Sequence, residues 1–244
     1  MAYLARGDQG LQIFDVTDPI SPNLVGVYPG WAYHLILQGE LAYVVGGADG
    51  LQIVDVSNPA SPTLRSTYPD VQDIAIVGEV VYALDTSGFK ILDVSTPDHP
   101  LLLGRFTLQD PWSKPADLTA VSSIVYMTLP PEVGLLVVDV SDPASPVQKA
   151  IYPDYVGKVQ VEGHYLIAAA GIGLTGMHIF DVSTPAAPRP RSAYGLPDQF
   201  QVVQLENNLV FVADGQGGLQ IIRLHPDLFP PDQYLPMIRV TEAE

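Results

Sequence analysis

The chain has 244 residues, 47% hydrophobic and 16% charged, with a formal net charge of −16 and no cysteine. That hydrophobic share supplies a sizeable core and excludes wholesale disorder. The acidic balance, with eleven scattered Lys and Arg, repels phosphate backbones and argues against a nucleic-acid partner. The longest apolar run, "YLIAAAGIGL" from Tyr165, has ten residues and is too short to span a bilayer. Without cysteine there is no disulfide or thiol chemistry.

In chain order, one phrase recurs. "GLQIFDVTDPISP" begins at Gly10, "GLQIVDVSNPASP" at Gly50, "GFKILDVSTPDHP" at Gly88, "GLLVVDVSDPASP" at Gly134 and "GMHIFDVSTPAAP" at Gly176. A degraded sixth copy, "GLQIIRLHPDLFP", begins at Gly218, and successive glycines lie 40, 38, 46, 42 and 42 residues apart. An aromatic stands six residues beyond the last proline of each full copy: Tyr28, Tyr68, Phe106, Tyr152 and Tyr194. In the second copy "YHLILQG", "LAYVVGG", "LQIVDVS" and "TLRSTYP" read as strands a to d, bounded by Gly, Pro, Asn and Asp. Strands apolar on both faces must be sandwiched between neighbouring sheets. A four-stranded unit of about forty residues is the period of a β-propeller.

The phrase resembles the LVIVD repeat, on the strand-c-and-turn signature "GLQIVDVSNPASP". The resemblance implies a β-propeller, often on secreted or cell-surface proteins and usually without an assigned activity. The chain opens on a strand pattern rather than a signal peptide, so an extracellular or cell-surface location implies a leader already removed. The expected fold is all-β: one six-bladed propeller of four-stranded antiparallel blades over residues 1–244. Its blades span roughly 1–30 plus 235–244, 31–70, 71–110, 111–154, 155–198 and 199–234. Residue 1 already lies in a strand b. "MIRVTEAE", in which Ile238 and Val240 match Leu35 and Leu37, is therefore expected to close the ring as the inner strand of blade one. The alternative is a late strand d of blade six.

The repeated aspartates Asp15, Asp55, Asp93, Asp139 and Asp181 lie on strand c, roughly 10 Å out from the axis-lining strand, and cannot converge on one cation. Their expected role is structural, accepting N–H groups of the adjoining turn. "GIGLTG" at 171–176 fits a dinucleotide-loop pattern but is followed by a strand, not a helix. "RGD" at 6–8 falls in a b–c turn, and the five histidines show no metal-ligand spacing. No hydrolase, zinc-protease or P-loop motif is present. No cofactor or metal is expected, and catalytic residues are assigned to none.

Function is expected where the copies differ. The first polar position of strand a reads His34, Asp73, Asp117, Lys158 and Val202. The loops that join strand d to the next strand a add Trp31, Trp112, Lys114, Tyr155 and Phe200. Aromatics and mixed charge at a concave mouth suit a protein, peptide or glycan ligand. The main expectation is thus a non-catalytic interaction module. A hydrolase or lyase using the mouth acids and bases, and a purely structural display ring, are the alternatives. The oligomeric state stays open, with a monomer favoured.

Overall fold

The computed structural model describes residues 1–110, 113–130, 134–153, 157–169, 176–194, 202–206, 209–214, 218–224 and 238–240. Its regular structure is strand, with a single 3-10 turn at Gly47–Asp49 among the described residues. The chain divides into two compact units, residues 1–107 and 108–244.

In the first unit, β1 (Ala2–Ala5), β2 (Leu11–Asp15) and β3 (Asn23–Tyr28) form a three-stranded sheet. β4 (His34–Gln38), β5 (Leu41–Val45), β6 (Leu51–Asp55) and β7 (Thr63–Tyr68) form the second sheet. The third comprises β8 (Asp73–Val77), β9 (Val80–Asp85), β10 (Gly88–Asp93) and β11 (Leu101–Thr107). In the second unit, β12 (Asp117–Val121), β13 (Ile124–Thr128), β14 (Leu135–Asp139) and β15 (Val147–Tyr152) form one sheet. β16 (Val159–Glu162), β17 (Tyr165–Ala169), β18 (Met177–Asp181) and β19 (Arg189–Tyr194) form the next. The last holds β20 (Val202–Glu206), β21 (Leu209–Asp214), β22 (Gly218–Arg223) and β23 (Ile238–Val240). Every sheet is an antiparallel meander, so strands a and b, b and c, and c and d are neighbours.

The core lies between sheets. Leu11 and Ile13 of the first sheet pack with Ala42, Val44 and Val54 of the second. Tyr43, Leu51 and Ile53 of the second meet Ile74, Val81 and Leu92 of the third. In the second unit Tyr126, Leu135 and Val137 meet Leu166, Ala168 and Phe180. Strands b and c of the second and third sheets are buried on both faces, which is why they read as continuous apolar runs, whereas β7 and β15 are mostly exposed edges.

The closing strand differs from expectation. β23 pairs antiparallel with β22, Ile221 opposite Val240 and Arg223 opposite Ile238. It is strand d of the last sheet, and the first sheet has three strands with β1 at its edge. Period-two alternation identifies a half-buried strand but carries no information on its partner. Pairing with β22 needs only a short return, whereas blade one would require closing almost the whole chain. It also covers an edge of unpaired N–H and C=O groups.

The opening glycine of the phrase has a steric cause. Gly10, Gly50, Gly88 and Gly134 have φ of 77, 70, 148 and 94°. A Cβ there would stand 2.1–2.2 Å from the carbonyl oxygen of Tyr28, Tyr68, Phe106 or Tyr152, respectively. The glycine and the distant aromatic are therefore two halves of one close contact between strands c and d.

The phrase aspartates each accept the N–H two residues on: Thr17 to Asp15 at 2.9 Å, Ser57 to Asp55 at 3.0, Ser95 to Asp93 at 2.8, Ser141 to Asp139 at 2.9 and Ser183 to Asp181 at 2.8. A second feature accompanies them. The five c–d pairs that carry a phrase aspartate each contain a β-bulge, which skips Val25, Arg65, Leu103, Lys149 or Arg191. Where the skipped residue is cationic, it is paired with the strand-c carboxylate: Arg65 with Asp55 at 3.1 Å, Lys149 with Asp139 at 3.1 and Arg191 with Asp181 at 2.5. Arg65 also grips Asp98 of the third sheet through two bonds of 2.7 Å.

These contacts hold carboxyls below their ordinary value of 3.8. The Ser141 N–H, its hydroxyl and Lys149 bring Asp139 to about 2. At Asp181 burial pushes upward, but Arg191 and the Ser183 donors outweigh it and leave a value of about 2. A carboxyl depressed in the folded state adds stability above its unfolded value, and that stability is lost as pH falls through the folded value. The melting temperature should therefore hold near pH 5 and decline steadily from about pH 4 toward pH 2. Thermal unfolding across that range checks it; a flat profile would contradict the pairing.

Candidate functional site

The d–a and b–c loops of the first unit bring together an aromatic shelf, a paired acid and a polar cavity. The shelf is made by Trp31 and Tyr33, 47% and 61% exposed, with ring centroids 5.6 Å apart and planes 25° from parallel. Between them Ala32 is buried and exchanges two backbone bonds with Gly7, of 2.7 and 2.9 Å. The RGD turn thus anchors the shelf through its glycine. Tyr33 N–H donates to the Val45 carbonyl at 2.8 Å, and Gln52 Nε2 donates to the Trp31 carbonyl at 3.4 Å. Gly46 and Gly47 let the loop approach: a Cβ at Gly46 would come within 2.7 Å of the Trp31 carbonyl oxygen, and one at Gly47 within 2.8 Å of the Tyr33 ring.

At the start of β4 and β8, His34 Nδ1 is paired with Asp73 Oδ1, which also accepts the Ile74 N–H at 2.9 Å. Asp73 is buried, while His34 is largely exposed. The second unit contains a corresponding arrangement. Asp117, buried at the start of β12, accepts from Lys158 Nζ at 2.8 Å and from the Val159 N–H at 2.7 Å. Beneath it Thr128 donates to the Gly157 carbonyl at 2.7 Å. The first polar positions of neighbouring strands a are thus spent on one another. Lys114 is exposed. Trp112, Tyr155 and Phe200 lie outside the described residues, as do positions 171–175 of the glycine-rich stretch.

Sequence reasoning missed the third position of the phrase. It reads Gln12, Gln52, Lys90, Leu136, His178 and Gln220, within a strand otherwise apolar and buried. Gln12, Gln52, Lys90 and Gln220 are all buried, and burial lowers the pKa of the His178 imidazole. Gln52 accepts from the Tyr28 hydroxyl at 2.9 Å and, as noted, holds Trp31. Lys90 donates to the carbonyls of Pro69 and Asp70, both at 3.0 Å, with its ammonium 5.4 Å from the centre of the Tyr68 ring. These side chains fasten the loops that arrive from strand d. The signal was present, because five of six copies place a polar residue between positions that are apolar in every copy, yet the phrase reads most easily as architecture alone.

Beside Lys90 is a cavity of about 360 Å³, whose lining includes Gly47, Gln72, Asp85, Ser87, Lys90 and Arg105. Asp85 Oδ1 accepts the N–H and hydroxyl of Ser87, each at 2.7 Å. Its Oδ2 lies 3.9 Å from both Lys90 Nζ and Arg105 Nη2. Among the described residues no group of three or more His, Asp or Glu is placed to hold a metal. No helix there is long and apolar enough to cross a membrane.

Comparison with curated proteins finds no match. Among solved structures the chain is similar to the periplasmic gluconolactonase PpgL of Pseudomonas aeruginosa (14% identity, TM-score 0.69, 94% of this chain and 77% of that one). It is also similar to a functionally unknown protein of Desulfotomaculum acetoxidans (12%, 0.74, 91% and 78%) and to BamB of Moraxella catarrhalis (16%, 0.59, 90% and 66%). At such identities the likeness shows the fold alone, a β-propeller. The LVIVD-repeat family model matches residues 1–30, 29–70, 69–107 and 132–154, more than half of the chain, and the chain belongs to the LVIVD-repeat family.

Proposed function

We propose that this chain is a non-catalytic binding module, extracellular or at the cell surface. Its six sheets act as the blades of one propeller domain, and it takes a protein, peptide or glycan ligand at the end formed by the d–a and b–c loops. The observation that carries this reading is the Trp31–Tyr33 shelf. Two large rings are left about half exposed and stacked on a loop pinned by backbone bonds on two sides. Exposed aromatics held rigid bind at low entropic cost. Asp73 and Asp117 each accept from a cation or imidazole and from a backbone N–H, bonds that hold the rim around the shelf in place. The enzymatic alternative would use the exposed His34 imidazole that Asp73 orients.

The test is turnover. The purified chain, incubated with aldonolactones and p-nitrophenyl esters, should give the uncatalysed rate. Hydrolysis that is lost in Asp73→Asn or Asp117→Asn would replace this reading with the enzymatic one.

A further inference from the structure

We infer that the cavity beside the shelf is a subsite for a vicinal diol, the hydroxyl pair of a pyranose ring. The inference rests on the binding reading above and names its ligand class. Its starting point is Asp85 Oδ2. The side chain is only 9% exposed, the other oxygen takes both Ser87 bonds, and this one takes none among the described residues. A buried carboxylate oxygen without a donor is costly.

Two cations face it at 3.9 Å, too far for a direct hydrogen bond but close enough that a hydroxyl seated beside the pair reaches both atoms. Such a hydroxyl donates its proton to Oδ2 and accepts from Arg105 Nη2 on its other side. A neighbouring hydroxyl does the same toward Lys90, which has used two of its three protons on Pro69 and Asp70. The ligand class follows by elimination. A metal ion or ammonium is repelled by Lys90 and Arg105, an anion brings no proton to donate to Asp85 Oδ2, and an apolar ligand would strand all three charges. A neutral polyol satisfies each of them.

The shelf completes the site. Gly47 lines the cavity and the Tyr33 ring packs over it, so a ring whose hydroxyls enter the cavity can lay its apolar C–H face near the exposed aromatics. A cavity of about 360 Å³ suits one or two sugar rings.

The experiment is saturation-transfer NMR on the full chain with methyl glycosides of glucose, galactose, mannose and fucose, each beside a deoxy analogue lacking one of two adjacent hydroxyls. At least one glycoside should bind, its deoxy analogue should not, and Asp85→Asn and Arg105→Ala should each weaken binding about tenfold, as loss of one charge-assisted bond implies. Arg105 is half exposed, so its variant is expected to fold and keeps the test valid should Asp85→Asn fail to. Glycoside binding that needs Trp31 and Tyr33 but ignores Arg105→Ala would overturn the diol subsite and leave the shelf standing. Binding of peptides with no glycoside bound would do the same. Binding of neither class would overturn both.

Discussion

Replacing Gly50 with alanine should lower stability by about 3–5 kcal/mol, among the largest effects available to a single methyl group in this chain. Two causes add. The backbone at Gly50 has φ of 70°, which costs a non-glycine residue about 1 kcal/mol or more. The new Cβ would also stand 2.2 Å from the Tyr68 carbonyl oxygen and 3.0 Å from the Pro69 Cα. Both are backbone atoms, so relief requires strand d to move away from strand c, disturbing the pairing of Leu51 with Tyr68. Gly39 provides the control. Its φ is 59°, yet nothing lies within 4 Å of its would-be Cβ. Gly39→Ala should cost only about 1 kcal/mol, the conformational part alone. Denaturant melts of the two variants separate strain from collision. Equal losses would show that the c–d contact does not explain why each copy opens with glycine.

Asp117→Ala should cost about 1–3 kcal/mol. Its carboxylate is buried and receives both the Lys158 ammonium and the Val159 N–H. Truncation strands the buried Val159 N–H, while the Lys158 ammonium, on a half-exposed side chain, turns to water. Asp117→Asn retains an oxygen for the Val159 N–H and should lose about half as much. Neither change should touch ligand binding at the Trp31–Tyr33 shelf. A catalytic Asp117 would show the opposite pattern, with full stability and no activity in the asparagine variant.

Much of this was legible in the chain because repetition turns one pattern into several independent readings. Strands a to d of "YHLILQG" through "TLRSTYP" are present as β4 to β7. The RGD tripeptide lies in a b–c turn, bounded by the pairing of Ala5 with Leu11. What was not legible depends on partners. The alternation in "MIRV" marks a strand without saying whose edge it joins, and the nearer edge took it. The bulge at Arg65, Lys149 and Arg191 adds a residue to strand d and turns a cation toward the phrase aspartate, whereas simple alternation along the strand would assign it a different face. His34 and Asp73 occupy equivalent positions in successive repeats, as do Asp117 and Lys158, but only coordinates show that they meet. Lys90 was hidden for a different reason: a lysine inside "GFKILD" is buried because two loop carbonyls and the Tyr68 ring receive its charge, and sequence periodicity does not report such receptors.

The most direct test of a binding role at this end is an array of glycans and peptides probed with the wild-type chain and with the Trp31→Ala/Tyr33→Ala double variant. Both rings are exposed, so the variant should melt within a few degrees of wild type. The wild type should bind discrete ligands, and the double variant should lose them. Ligands bound equally by both proteins would place recognition elsewhere on the molecule and contradict it.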